Sequence, residues 1–343
     1  MNSIFKTLFF LLFPSSILFA QNTAVKIIKD PNAKKIDILI GNKLFTSFQY
    51  PDHIEKPFLY PVFTVNQNDV TRGFPLNPKK DDPTDHPHHI GIWLNYESVN
   101  GLDFWNNSYA IPNEKKDKYG WIKTDKILET KSGPKGSLTY HATWNNQANA
   151  ILLNEITTFE FSAIGSQRII DRSTTLSAVK DVAFNDVKDG FLGMRLAHEL
   201  QIPTQQDQKF TDDKGNVTLV KGGTDKIANG NYISSEGKVG DAVWSTRAAW
   251  VKVFGKIGAD SVSVTIIDHP KNINYPTYWH ARGYGLFAAN PLGEKIFTNG
   301  TRSTNLKLKA GEKITFRYRI VIDAGNTSTS TEQIQKLAAA FSR

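Results

Sequence analysis

The chain has 343 residues, 41 lysines and arginines against 33 aspartates and glutamates, a formal charge of +8 and no cysteine. Without disulfides the fold must be held by its core alone, and the length suffices for one large β-domain or two small ones. A pI near 9.3 suits an anionic partner; no basic tract alternates with aromatics as a nucleic-acid groove requires, so acidic polysaccharide is the natural candidate beside a merely diffuse solvated charge.

Residues 1–20 read as a secretory signal peptide. Lys6 gives the positive start, Leu8 to Phe13 the apolar stretch, and Ser15, Ser16 and Ala20 the small residues before cleavage at Gln21. Pro14 interrupts the apolar run, which is too short to span a bilayer, and no other segment is long and apolar enough. The expectation is an exported protein of the bacterial periplasm, with secretion as the alternative, forming one domain over 21–343.

Short alternating segments rich in β-branched and aromatic residues follow. Strands are predicted at 35–40, 136–144, 151–161, 261–267 and 313–323. Turn signals stand at Asn100-Gly101, Asp213 to Gly215 and Asn299-Gly300. The polar stretches 77–87 and 201–231 are predicted as long loops, where a rigid sandwich usually carries its binding site. Helical periodicity is convincing only near the end, where Ile334, Leu337, Ala338 and Phe341 share a face after a start signal at Thr329 to Glu332. The pattern predicts an all-β fold, a large antiparallel β-sandwich with a short C-terminal helix.

In the first loop, His86-Pro87-His88-His89 places three of the eight histidines in four positions, running straight into Ile90-Gly91-Ile92-Trp93-Leu94. Imidazole takes a proton, gives one or binds a metal near neutral pH, so a site mounted at a strand end is expected. The bland alternative is a solvated loop whose histidines cap their own backbone. Asp103-Phe104-Trp105-Asn106 follows the Asn100-Gly101 turn and could fold back beside His88 and His89. Trp93 and Trp105 would then offer flat faces to sugar rings, and Asp103 and Asn106 hydrogen bonds to hydroxyls, although tryptophan in a sandwich is more often core. His86 and His88 would lie on one side of an extended segment and, with Asp85 or Asp103, could hold zinc. No second cluster completes a ligand set, so neither metal nor cofactor is expected.

Two later stretches add functional groups. His280, Arg282 and Tyr284 alternate, so a strand would turn a base, a cation and a phenol to one side, with Gly283 and Gly285 permitting close approach of a ligand. A strand over 193–199 would place Arg195, Ala197 and Glu199 on one face and His198 on the other. Arg195 could meet a substrate carboxylate or pair with Glu199 or Asp171. Arg72 is a further cation near the first loop. No Ser-His-Asp order, phosphate-cradling glycine loop or dinucleotide fingerprint stands out.

The run His86-Pro87-His88-His89-Ile90-Gly91-Ile92-Trp93, followed by Val99-Asn100-Gly101-Leu102-Asp103-Phe104-Trp105, resembles the signature of the bacterial PmoA-like family. So do Asp189-Gly190-Phe191-Leu192-Gly193-Met194-Arg195 and the stretch from Trp279 to Gly293. Ile90 departs from the arginine that follows the double histidine in that family, which removes one cation from the loop. The label points to methane oxygenase, but this chain lacks membrane spans and an evident copper-site pattern. The resemblance implies a β-sandwich like those of sugar mutarotases and polysaccharide lyases, and similarity to an oligosaccharide dehydratase of ulvan breakdown.

The reaction expected on that basis is elimination of water from a terminal uronic acid of an anionic oligosaccharide, giving an unsaturated uronate. Arg282 or Arg195 would hold the carboxylate, and His88, His89, His280 and Tyr284 are the candidates for base and acid. Arg72, Trp93, Asp103, Trp105 and Asn106 complete the expected substrate contacts. The same groups would serve epimerisation or anomeric interconversion, and a non-catalytic sugar-binding protein is the alternative from another class. Hydrolysis is disfavoured, because no carboxylate pair stands out in the motifs.

Overall fold

The computed structural model describes residues 24–326 and 328–343, so the signal-peptide expectation lies outside the described residues. Strands β1 (Val25–Asp30), β2 (Lys35–Ile40), β3 (Lys43–Gln49), β4 (Phe58–Val62) and β5 (Ile92–Tyr96) come first. They precede β6 (Trp121–Lys131), β7 (Gly136–Asn145), β8 (Ile151–Ile164), β9 (Gln167–Ala178), β10 (Val182–Phe184) and β11 (Gly190–Arg195). Next are β12 (Gln208–Thr211), β13 (Val217–Val220), β14 (Asn231–Ser234), β15 (Trp250–Ile257) and β16 (Asp260–Asp268). The chain closes with β17 (Tyr278–Ala281), β18 (Leu286–Asn290), β19 (Leu306–Leu308), β20 (Lys313–Gly325) and helix α1 (Thr331–Phe341).

Two eight-stranded antiparallel sheets result, in the orders β1-β2-β3-β4-β5-β11-β18-β17 and β14-β15-β16-β20-β9-β8-β7-β6. Alternation explains how they face each other. Phe316, Tyr318, Ile320 and Ile322 of β20 are buried, while Arg317 and Arg319 between them turn outward. Across the interface Phe48 stacks on Tyr140 with centroids 4.6 Å apart, and Phe191 meets Phe316 at 4.2 Å. Each such fully buried side chain contributes about 1.5–3 kcal/mol, which lets the sandwich stand without disulfides. One ion pair lies inside this core, Arg172 to Glu155 at 3.2 Å, and the glutamate also accepts from Tyr140 and Trp144.

The large antiparallel β-sandwich with its short C-terminal helix is therefore what the sequence pattern predicts. Ser330 caps α1 and Gln333 returns the bond to it, while Ile334, Leu337, Ala338 and Phe341 pack against Trp250, Ile267 and Val321. Within 201–231, read as loop, β12 and β13 form a hairpin. Its turn is made by Asp212, whose carboxylate accepts from the backbone of Lys214 and Asn216.

The first sheet has a second apolar layer on its outer face, made of Phe58, Tyr60, Ile90, Trp93, Trp105, Leu286 and Ala288. Register places Trp93, Gly193, Ala288 and His280 in one row across β5, β11, β18 and β17. Directly opposed residues share a face, so all four point outward. Two local expectations fail. β17 ends at Ala281, and Arg282 to Gly285 make the turn into β18, with Gly285 at φ +88°; His280, Arg282 and Tyr284 thus do not share a strand face. β11 ends at Arg195 and His198–Leu200 is a 3-10 turn, so Arg195 and Glu199 share none either.

Candidate functional site

Arg72 follows β4 and is fully buried. Its Nη1 donates to the carbonyls of Pro83 (3.0 Å) and Asp85 (2.6 Å), and its Nη2 to those of His86 (2.9 Å) and His89 (3.0 Å). An irregular buried loop must find donors for its carbonyls, and a five-donor guanidinium supplies them from one side chain. Lys56, only 2 % exposed, holds the same loop from the other side through the His88 carbonyl at 2.7 Å. Its ammonium lies 5.5 Å from the Trp93 ring centre, and burial brings it down to about 8 against the opposing pull of Glu55 and Asp103.

Asp85 is the electrostatic centre of the loop. Arg195 Nη2 donates to its Oδ1 at 2.6 Å and Arg72 Nη1 at 3.2 Å, while its other oxygen takes His86 Nδ1 at 2.5 Å. Burial opposes ionisation, but Arg195, His86 and Arg72 together outweigh it and hold the carboxyl well below the usual carboxylate range. An ionised carboxylate only accepts, so His86 Nδ1 must donate and, in the neutral ring, Nε2 keeps the lone pair. His86 sits at φ +45°, so the loop is not extended; the His86 and His88 rings nevertheless meet edge to face, with centroids 5.6 Å apart.

The rings form a stack. Tyr284 and His86 are parallel with centroids 5.1 Å apart, His86 and His89 follow at 4.8 Å, and His89 and Trp93 at 5.3 Å. His86 is exposed, whereas His89 and Trp93 are buried. Arg195 offers a donor to His89 Nδ1 at 3.3 Å, and burial, then His88 and Arg195, holds the His89 ring far below its ordinary value. His88 is brought down to about 2 by burial and then by Lys56, His86 and the two arginines. Both are neutral bases inside the loop, and neither lines the open cleft.

That cleft has a volume of about 610 Å³. Asp85, His86, Tyr284 and Arg282 form one side, Gln208 and Lys209 of β12 another, and Trp244 and Asp241 a third. The Arg282 guanidinium stands 5.2 Å from the Trp244 ring centre and 6.0 Å from that of Tyr284. Its side chain has no ion pair or hydrogen bond among the described residues. Burial raises the Tyr284 phenol to about 12 although Arg195 and Arg282 pull it down, so it is protonated at neutral pH.

His280 belongs to a different neighbourhood. Its Nδ1 lies 3.3 Å from Asp189 and burial pushes the ring down to about 4 against that carboxylate's pull. Near Asp189 are Glu97, raised to about 7 by burial and by Asp189 and Asp103, and Asp103, whose carboxylate accepts from the backbone and side chain of Asn106.

The predicted residues thus divide. His88, His89, Arg72, Arg195, Trp93, Trp105 and Tyr284 gather around the loop, with Arg282 beyond Tyr284. Asp103, Asn106 and His280 lie apart from the cleft. Trp93 and Trp105 are 0 and 1 % exposed, which corrects their reading as sugar platforms: their faces are covered by His89, by each other and by Lys56. Arg195 is likewise corrected as a carboxylate holder and Arg72 as a substrate contact, since both guanidiniums are buried and spent on the loop. Among the described residues no group of three or more His, Asp and Glu is arranged to hold a metal. Sequence reasoning missed Lys56, Trp244 and the contact of His86 with Asp85. The adjacent Asp85-His86 pair was visible, but its orientation depends on Arg195, distant in the chain.

Fold and cleft together define a large antiparallel β-sandwich with a polar site mounted on one sheet's outer face. The chain belongs to the family of unknown function DUF6807, whose pattern matches residues 35–339. No curated protein matches it. Among solved structures it is similar to an α-galactosidase from Geobacillus stearothermophilus, with 10 % identity over 88 % of this chain and 41 % of that one at a TM-score of 0.40. A galactose mutarotase related enzyme from Lactobacillus acidophilus is 9 % identical over 90 % of this chain and 98 % of its own, at a TM-score of 0.31. A polysaccharide lyase is 9 % identical over 82 % of this chain and 32 % of its own, at 0.32. The chain spans about two fifths of the α-galactosidase's length.

Proposed function

We propose that the protein removes water from a terminal uronic acid of an acidic oligosaccharide, leaving an unsaturated uronate. The observation that carries this reading is the unpaired Arg282 guanidinium, set beside Tyr284 in the cleft that also presents His86. The motif resemblance to bacterial carbohydrate-degrading proteins supports it as well.

A hydrogen on the carbon beside a carboxylate is weakly acidic, so catalysis needs a cation on the carboxylate, a base for the proton and an acid for the leaving oxygen. Arg282 meets the first need. His86 Nε2, with Nδ1 fixed by Asp85, meets the second. Tyr284, protonated at neutral pH, meets the third. The C5–H electron pair becomes the C4–C5 double bond, the C4–O bond breaks, and hydroxide departs with the tyrosine's proton as water. His86 then holds the C5 proton and returns it through solvent to Tyr284. Base and acid stack on one side of the cleft, which suits loss of H and OH from the same face of the ring.

The test is absorbance of the conjugated enoate together with mass spectrometry on uronate-terminated oligosaccharides. A new chromophore with loss of one water supports dehydration. A chromophore with chain cleavage means a lyase, and solvent deuterium uptake without mass loss of water means epimerisation. Silence across a broad uronate panel overturns the proposal.

A further inference from the structure

The second sheet carries a groove of about 420 Å³ on the face turned away from the core, beside α1. Register builds its floor. Thr158, Ser173 and Arg317 stand directly across β8, β9 and β20, and Glu160, Asp171 and Arg319 form the next row. In the second row Arg319 and Asp171 answer each other: Arg319 donates to Asp171 through two bonds of 2.7 Å and lies 4.8 Å from the Phe341 ring centre, while Glu160 stays unpaired among the described residues. The first row has no such pair. The side chain of Arg317, with those of Lys271 and Lys135 at the rim, has neither an ion pair nor a hydrogen bond among the described residues.

Arg317, Lys271 and Lys135, with the Arg343 side chain at the groove's end, outweigh the unpaired carboxylate of Glu160, so the groove is positive. Like charges held together in a concavity raise the local concentration of anions. Rows of hydroxyls beside them suit sugar hydroxyls. Single-stranded nucleic acid would need free flat rings for its bases, and the rings here are engaged: Phe341 lies under Arg319 and packs edge to face with His269 at 4.9 Å. We infer that this groove binds a stretch of acidic polysaccharide through carboxylate or sulfate groups, on the sheet opposite the cleft. The inference is independent of the reaction assigned to the cleft.

The experiment uses the full chain carrying Arg282→Met, so that binding through the cleft is weakened, with and without Lys271→Glu plus Arg317→Glu. Affinity electrophoresis in polygalacturonate, dextran sulfate and neutral dextran reads the groove. Retardation by at least one polyanion, weakened tenfold or more by the double change and absent in neutral dextran, is the expected result. Polygalacturonate alone would assign carboxylates as the ligand groups, and dextran sulfate alone sulfates. Lys135→Glu, at an exposed rim position, gives the same direction of effect without touching a strand. Equal retardation with and without the changes overturns the proposal, as does no retardation at all. So does single-stranded DNA bound as tightly as the polysaccharides at matched salt, which would mean diffuse charge. Loss of turnover in the cleft assay leaves this result untouched.

Discussion

Asp85 and Arg195 meet at 2.6 Å, and through that contact the end of a central strand fixes the carboxylate that orients His86. Asp85→Asn keeps the shape but removes the charge. Turnover should fall roughly a hundredfold or more, the range of a disabled general base, with little change in KM. Steady-state kinetics beside circular dichroism checks this; near-normal turnover would remove His86 from the mechanism.

Tyr284→Phe and Arg282→Met separate the two remaining roles. The first should lower kcat by about 10²-fold or more while leaving KM near its starting value. The second should raise KM for a uronate at least tenfold, on the order of the 1.5–3 kcal/mol of a charge-assisted hydrogen bond. A uronamide substrate, which lacks the charge, should discriminate poorly between wild type and Arg282→Met.

Arg72→Met removes the side-chain donor of four loop carbonyls and one of the three donors to the Asp85 carboxylate. The expected loss is about 3–5 kcal/mol, as for a broken buried ion pair. It should appear in urea unfolding as a lowered midpoint at constant slope. Lysine has no fork and should not rescue it.

Gly193 lies between Trp93 and Ala288 with no room to spare. A Cβ there would come within 2.6 Å of the Trp93 ring and 2.9 Å of Trp105. Gly193→Ala should destabilise by about 1–3 kcal/mol and shift the near-ultraviolet dichroism of the two indoles. An unchanged melting temperature would show that the tryptophan layer is looser than described.

The pH dependence of stability has two opposing parts. His280 titrates near 6.5 when unfolded and about 4 when folded, so the unfolded chain binds more protons between those values. Its contribution, about 3 kcal/mol, is present above pH 6.5 and lost as the pH falls to 4. Glu97, raised from 4.5 to about 7, acts the other way: its contribution is present below 4.5 and lost as the pH rises through 7. Thermal melts from pH 4 to 8 should show a shallower acid-side loss for His280→Asn and a shallower loss towards neutral pH for Glu97→Gln. Parallel profiles for wild type and variants would contradict these assignments.

The sandwich was legible because its signal is local: Phe316, Tyr318 and Ile320 alternate with charged residues, and the helix face from Ile334 to Phe341 repeats at its own period. The site was legible as a neighbourhood and misread in its details. Trp93 could be recognised as important, but only pairing with Gly193 and covering by Lys56 and His89 show that it is floor. Arg195 could be recognised as a cation, but its partner Asp85 lies across the fold. Arg282 and Tyr284 were found by alternation, yet they serve from a turn that Gly285 makes possible. Trp244 had no signal at all, since nothing in its own neighbourhood says that the chain will bring it opposite Arg282.

The grip of Arg72 on four carbonyls has a practical corollary for anyone rebuilding this site elsewhere. The segment from Pro83 to His89 does not encode its own path. Transplanted alone onto another sheet it would lose the curvature that turns His86 to solvent and His89 inward. The minimum portable unit is the loop together with Arg72, Lys56 and Arg195, three cations drawn from three separate places in the chain.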